Sequence, residues 1–153
     1  MIITDLHKTS QPIIRYELND IITISDKPCG CGSHFRVIET IQGRSDDLFW
    51  AKRKDDEKLQ FIFPDYISRA VITASDNIEE YQVIQKDFDN ILVRVSAKDN
   101  SNKVELIQRI GNNISEVFRL YNCIKPKVKV VFEKPVVNAN SGKLIRIHRE
   151  FKI

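Results

Sequence analysis

Apolar and polar residues change their spacing several times along this 153-residue chain, and each change marks an element. The runs IIRYEL and IITIS are short and β-prone, and the turn-forming pair Asn19-Asp20 separates them. DKPCGCGSH then predicts a tight turn, because proline and alternating glycine allow backbone conformations that other residues avoid. FRVIETIQG follows as another strand. Three short strands with few partners make a poor domain, so residues 1–43 read as an edge torn from a larger sheet.

After Gly43-Arg44 the texture changes. DLFWAKR and KLQFIF flank the charged turn Lys54 to Glu57 and predict a hairpin. Pro64 opens a helix through PDYISRAVITAS, with Ile67, Ala70, Val71 and Ala74 on its apolar face. EEYQVIQKD and NILVRVSA form a second strand pair, joined by Phe88-Asp89-Asn90. Ser101 or Asn102 caps a long helix from Lys103 to about Tyr121, with Val104, Ile107, Ile110, Ile114, Val117 and Leu120 at helical spacing. KVKVVFEK reads as a strand, NANSGK as a loop and KLIRIHREF as a last strand. The order predicts an α+β fold for residues 44–153, a small mixed sheet with helices on one face.

Composition narrows the function classes. Hydrophobic residues make up 42% and charged residues 29%, and a chain of this length buries a core without disulfides. A net charge of +3 is too small for a nucleic-acid binder, and YQVIQKDFDN lacks the basic and aromatic interleaving of an RNA-binding sheet. No apolar run approaches the roughly 18 residues that span a bilayer. MIITDLHKTSQP does not read as a signal peptide, and the cysteine count is three, so reduced thiols in the cytoplasm are expected.

Three short patterns carry the candidate chemistry: Arg15-Tyr16-Glu17-Leu18-Asn19-Asp20, then Gly43-Arg44-Ser45-Asp46-Asp47, then Asn140-Ser141-Gly142-Lys143-Leu144-Ile145-Arg146. Singly, each reads as a turn or solvated loop. None is a phosphate-cradling loop, which needs G-x-x-x-x-G-K-[ST]. In this order, with TDL, PIIRYELND, PCGCG and GRSDD, they resemble the C-terminal motifs of the adenylate-forming superfamily of acyl- and aryl-CoA ligases. The resemblance is closer to the phenylacetate–CoA ligase and CoF synthetase branch, and it covers essentially the whole chain.

That resemblance implies a C-terminal lid domain at 44–153, with residues 1–43 a remnant β segment of the larger N-terminal, ATP-binding domain. It implies that Asp20 accepts hydrogen bonds from the ribose hydroxyls of ATP, as a carboxylate does well. Arg44 would lie near ribose and phosphate, and Asp46 would be the hinge about which the lid rotates. Lys143 would be the catalytic residue, reaching the substrate carboxylate and the α-phosphate. A point charge delivered only at closure stabilises the anionic transition state selectively.

The complete enzyme implied is an AMP-forming ligase of a carboxylic acid, using ATP and Mg²⁺ with CoA as a candidate acceptor. Its N-terminal adenylation domain would be supplied in cis or in trans, and this chain alone is expected to be inactive. Two departures stand out: Asn19 replaces the usual glycine before Asp20, and LFWAKRKDDEKLQFIFP lacks the glycines expected near CoA. The acceptor therefore stays open between CoA, another thiol, an amine and no second step at all.

Cys29, Cys31 and His34 offer three zinc donors within six residues, at a spacing tighter than usual, with His7 or a residue of the N-terminal domain a candidate fourth. The alternative is a glycine-rich turn whose cysteines merely pack. Cys123 reads as a buried hydrophobe, His148 as part of a solvated face with Arg146 and Arg149, and Phe49 and Trp50 as hairpin packing. A non-catalytic binding or oligomerisation module that keeps the lid fold is the alternative function. The strand edges of residues 1–43 make a homodimer the natural form of it.

Overall fold

The computed structural model describes residues 2–7, 9–44, 48–98, 102–139 and 142–153. Its internal contacts divide the chain into two units, Met1–Asp46 and Asp47–Ile153. In the first unit, β1 (Ile2–Ile3) pairs antiparallel with β2 (Tyr16–Glu17), and β3 (Asp20–Ile24) with β4 (Ile38–Arg44). Isoleucine and threonine dominate β3, where branched side chains suit an extended backbone. No described side chain of this unit is buried, and Leu6 and Phe35 stand 87% and 86% exposed.

The second unit holds the core. A hairpin of β5 (Phe49–Lys52) and β6 (Leu59–Ile62) is followed by α1 (Pro64–Ile72), β7 (Ile78–Gln85), β8 (Asn90–Ala97), α2 (Lys103–Leu120), β9 (Lys127–Val131) and β10 (Ile147–Arg149). The last four strands form one sheet in the order β10-β7-β8-β9. Its central pair is antiparallel and its two outer pairs are parallel, giving the mixed sheet expected. Alternation along the strands turns Val83, Ile91, Val93, Val95 and Ile147 toward the helices, where they pack with Ile67, Val71, Ile110, Ile114 and Phe118. Each of these side chains contributes roughly 1.5–3 kcal/mol by leaving water.

Pro64 occupies the first turn of α1, and its missing N–H costs nothing there. Asn102 caps α2, its side chain accepting from the Glu105 N–H at 3.3 Å. The buried face of α2 differs from the one its spacing predicts. Ile110, Ile114 and Val117 are buried as expected, but Leu106 and Phe118 complete the face, while Val104 (67%), Ile107 (39%) and Leu120 (66%) are exposed. Apolar residues cover more than half the circumference of this helix, and the width of the sheet beneath it decides which stripe is used. The last strand is also shorter than expected, and His148 and Arg149 are half-buried rather than on a solvated face. Cys123 is buried as expected. Among the described residues, no helix is long and apolar enough to cross a membrane.

Candidate functional site

Lys143 lies in the segment that leaves β9 and returns as β10. Gly142, immediately before it, has φ +66°, a left-handed conformation that glycine adopts without a Cβ penalty. The Gly142 N–H donates to Asn138 O at 2.8 Å, and the Asn138 N–H donates to Lys143 O at 2.9 Å. These two bonds tie Asn138 to Gly142 and Lys143, and Lys143 is exposed.

The legs of the loop are tied to the sheet by one side chain. Gln82 of β7 is 3% exposed and lies on the sheet face opposite the helices. Its Nε2 donates to Val136 O at 3.0 Å and to Ile145 O at 3.1 Å, and its Oε1 accepts from the Val136 N–H at 3.1 Å. A buried amide left unpaired would cost about 1–3 kcal/mol, so these bonds determine where the legs run. A cavity of about 290 Å³ opens beside the strap, lined by Gln82, Ile84, Arg94, Val136, Asn138 and His148 among others. Its charges are paired: Lys86 meets Glu150 at 2.7 Å, and Arg94 meets Glu133.

A second buried glutamine, Gln85, uses the other face of β7. Its Nε2 donates to Trp50 O at 2.6 Å, and its Oε1 accepts from the Trp50 N–H at 2.9 Å. It thereby fastens the β5–β6 hairpin to the main sheet. Trp50 packs edge-on against Phe61, with ring centroids 5.9 Å apart, in keeping with the hairpin-packing expectation. Sequence reasoning missed both glutamines. The one signal available was a pair of amides inside the otherwise strand-like YQVIQ.

In the first unit, Asp20 opens β3 and Arg44 ends β4, and their Cα atoms stand opposite each other in the antiparallel ladder. Asp20 is half-buried. The expected hinge, Asp46, lies outside the described residues. Cys29 and Cys31 sit in the β3–β4 connection, where the Gly32 N–H donates to Cys29 O at 3.0 Å and closes a turn. This brings the two sulfurs to 3.0 Å. The thiol of Cys29 holds the Cys31 pKa below its usual value, with a further backbone hydrogen bond at Ser33 acting in the same direction. Among the described residues no three His, Cys, Asp or Glu side chains converge as a metal site. Of the three candidate zinc donors, the fold therefore brings together the two thiols and leaves His34 out.

No protein-family model matches the chain. Protein CapK of Staphylococcus aureus is 24% identical over 133 residues, covering 81% of this chain and 28% of that protein. Among solved structures, 2-hydroxyisobutyryl-CoA ligase in the postadenylation state with 2-HIB-AMP matches at 21% identity and a TM-score of 0.53. The same ligase with R3-HIB-AMP matches at 21% identity and a TM-score of 0.55. Both matches cover 97% of this chain and 31% of the ligase. This chain thus spans about a third of the length of the proteins it resembles. Its fold is the α+β fold of part of an adenylate-forming CoA ligase.

Proposed function

We propose that this chain supplies the lysine-bearing lid of an AMP-forming carboxylate ligase of the phenylacetate–CoA ligase type, working with an ATP-binding domain provided in cis or in trans. One observation carries the reading. On a fold shared with part of a CoA ligase, the exposed Lys143 follows Gly142 and is backbone-bonded to Asn138, and the flanking Val136 and Ile145 are both held to Gln82 of the sheet.

In this reading a carboxylate oxygen of the substrate attacks the α-phosphorus of ATP. The acyl adenylate forms and pyrophosphate leaves. Two anions approach each other and charge grows on the α-phosphate oxygens, so a cation placed there at closure lowers the barrier. Lys143 fills that role. Asp20 accepts from the ribose hydroxyls, and Arg44 supplies a positive charge for the ribose and phosphate region. Mg²⁺ would accompany the nucleotide on the ATP-binding domain. Rotation about Asp46 then withdraws Lys143 and admits the acceptor, CoA or another nucleophile. The exposed Leu6, Ile14, Phe35 and Ile41 of the first unit supply apolar surface for the ATP-binding domain to cover.

ATP–pyrophosphate exchange with a panel of aryl and short-chain acids tests this, using the chain alone and the chain joined to an ATP-binding domain. Exchange is expected only in the joined form, and Lys143→Ala should lower it at least a hundredfold. Activity that survives Lys143→Ala would remove the lysine from the mechanism. Silence in both forms would favour the non-catalytic module.

A further inference from the structure

We infer that Gln82 is the positioning residue for Lys143, acting as an amide strap that fixes both legs of the lysine loop at once. This rests on the ligase reading for its catalytic consequence, but the strap itself stands on geometry alone. A primary amide offers two N–H donors and an acceptor oxygen. Gln82 spends both donors on carbonyls that lie on opposite sides of the loop, Val136 before it and Ile145 after it, and its oxygen on the Val136 N–H. The flipped amide would set its oxygen against two carbonyl oxygens, so only one orientation serves.

Two other described restraints near the loop do not do this. The bonds between Asn138, Gly142 and Lys143 close the loop on itself, and they would survive a rigid swing of the whole loop away from the sheet. The Val83 N–H to Arg146 O bond, at 2.7 Å, holds the return leg only. Among the described residues, Gln82 is the side chain that fixes the outgoing and return legs relative to each other. A displacement of about 1 Å in a catalytic group costs on the order of a hundredfold in rate, so the strap sets whether Lys143 arrives where charge develops.

The test pairs a structural and a kinetic measurement. In the full chain, Gln82→Met keeps the volume and removes all three bonds. The Val136 amide should then exchange hydrogen at least tenfold faster, while the Val93 and Ile114 amides keep their rates. Gln82→Asn keeps the amide but shortens its reach by one methylene, so there too the Val136 amide should exchange faster while Val93 and Ile114 keep their rates, and this variant decides the matter if the methionine variant fails to fold. Unchanged Val136 exchange in Gln82→Met, or uniform acceleration across the core, overturns the strap.

With the ATP-binding domain joined, Gln82→Met should lower kcat for pyrophosphate exchange at least tenfold. The KM for ATP should stay within twofold, because Lys143 acts only at closure. The double variant with Lys143→Ala should be no slower than Lys143→Ala alone. Additive losses would mean that Gln82 does not act through Lys143. If Lys143→Ala itself has no effect, the ligase reading falls, and the exchange data still decide whether the strap exists.

Discussion

At the scale of single residues, Cys29 and Cys31 show how a short sequence distance becomes a chemical property. One thiol donating to its neighbour stabilises the neighbour's thiolate, so the Cys31 pKa is lowered, while burial raises that of Cys123. The sign follows directly: Cys31 keeps its reactive thiolate to lower pH than an ordinary thiol, and Cys123 needs higher pH as well as an opening of the core. Iodoacetamide should therefore alkylate Cys31 well ahead of Cys123. Cys29→Ala should move the Cys31 pH–rate profile upward. Peptide mapping of the alkylated chain reads both, and a profile unmoved by Cys29→Ala would mean the pair does not interact in solution. The CGC spacing made this pair legible in the sequence. Gln82 was not, because its partners lie 54 and 63 residues away, and nothing in local spacing announces them.

At the scale of elements, α2 separates what periodicity reveals from what packing decides. A helical run over 103–120 follows from Asn102 as cap and from apolar spacing, and both appear in the fold. The face did not follow, since Val104 and Leu120 fit the same period as Leu106 and Phe118. Only the sheet below discriminates them. Leu106→Ala and Phe118→Ala should each cost about 2–5 kcal/mol. Val104→Ala and Leu120→Ala should stay within about 0.5 kcal/mol. Chemical denaturation measures all four, and the reverse order would refute the buried face described above. The hairpins were legible for a different reason. Charged or turn-forming residues sit between two apolar runs at Lys54 to Glu57 and again at Phe88-Asp89-Asn90, and both pairings form as expected. In the first of these turns, the Arg53 guanidinium beside Asp55 holds that carboxyl down to about 2.

At the scale of the whole molecule, the two units differ in what holds them. Among the described residues, every buried hydrophobic residue lies between Leu48 and Ile147, and the first unit holds exposed apolar side chains around two short sheets. Alternation and helical spacing made the α+β class readable, because the second unit satisfies each pattern locally. Asp20, Arg44 and Lys143 stood out in the sequence through the order of three short patterns. The ties that orient the lysine loop were not, since they form only once distant strands are paired.

Those ties have a kinetic consequence. The strap joins Gln82 to Ile145 across 63 residues, and β10 pairs with β7 over a similar span. Closing so long a segment loses chain entropy before any contact compensates, whereas the β7–β8 hairpin closes over a few residues. Contacts formed after the rate-limiting step leave the folding rate unchanged and show their loss in unfolding. Gln82→Met should thus unfold several-fold faster than the unaltered chain and refold at the same rate, as followed by Trp50 fluorescence in stopped flow. A matching slowdown in refolding would place the strap in the folding nucleus instead. On the expected outcome, the core is complete before the lysine loop is set, and readiness for chemistry is the last property this chain acquires.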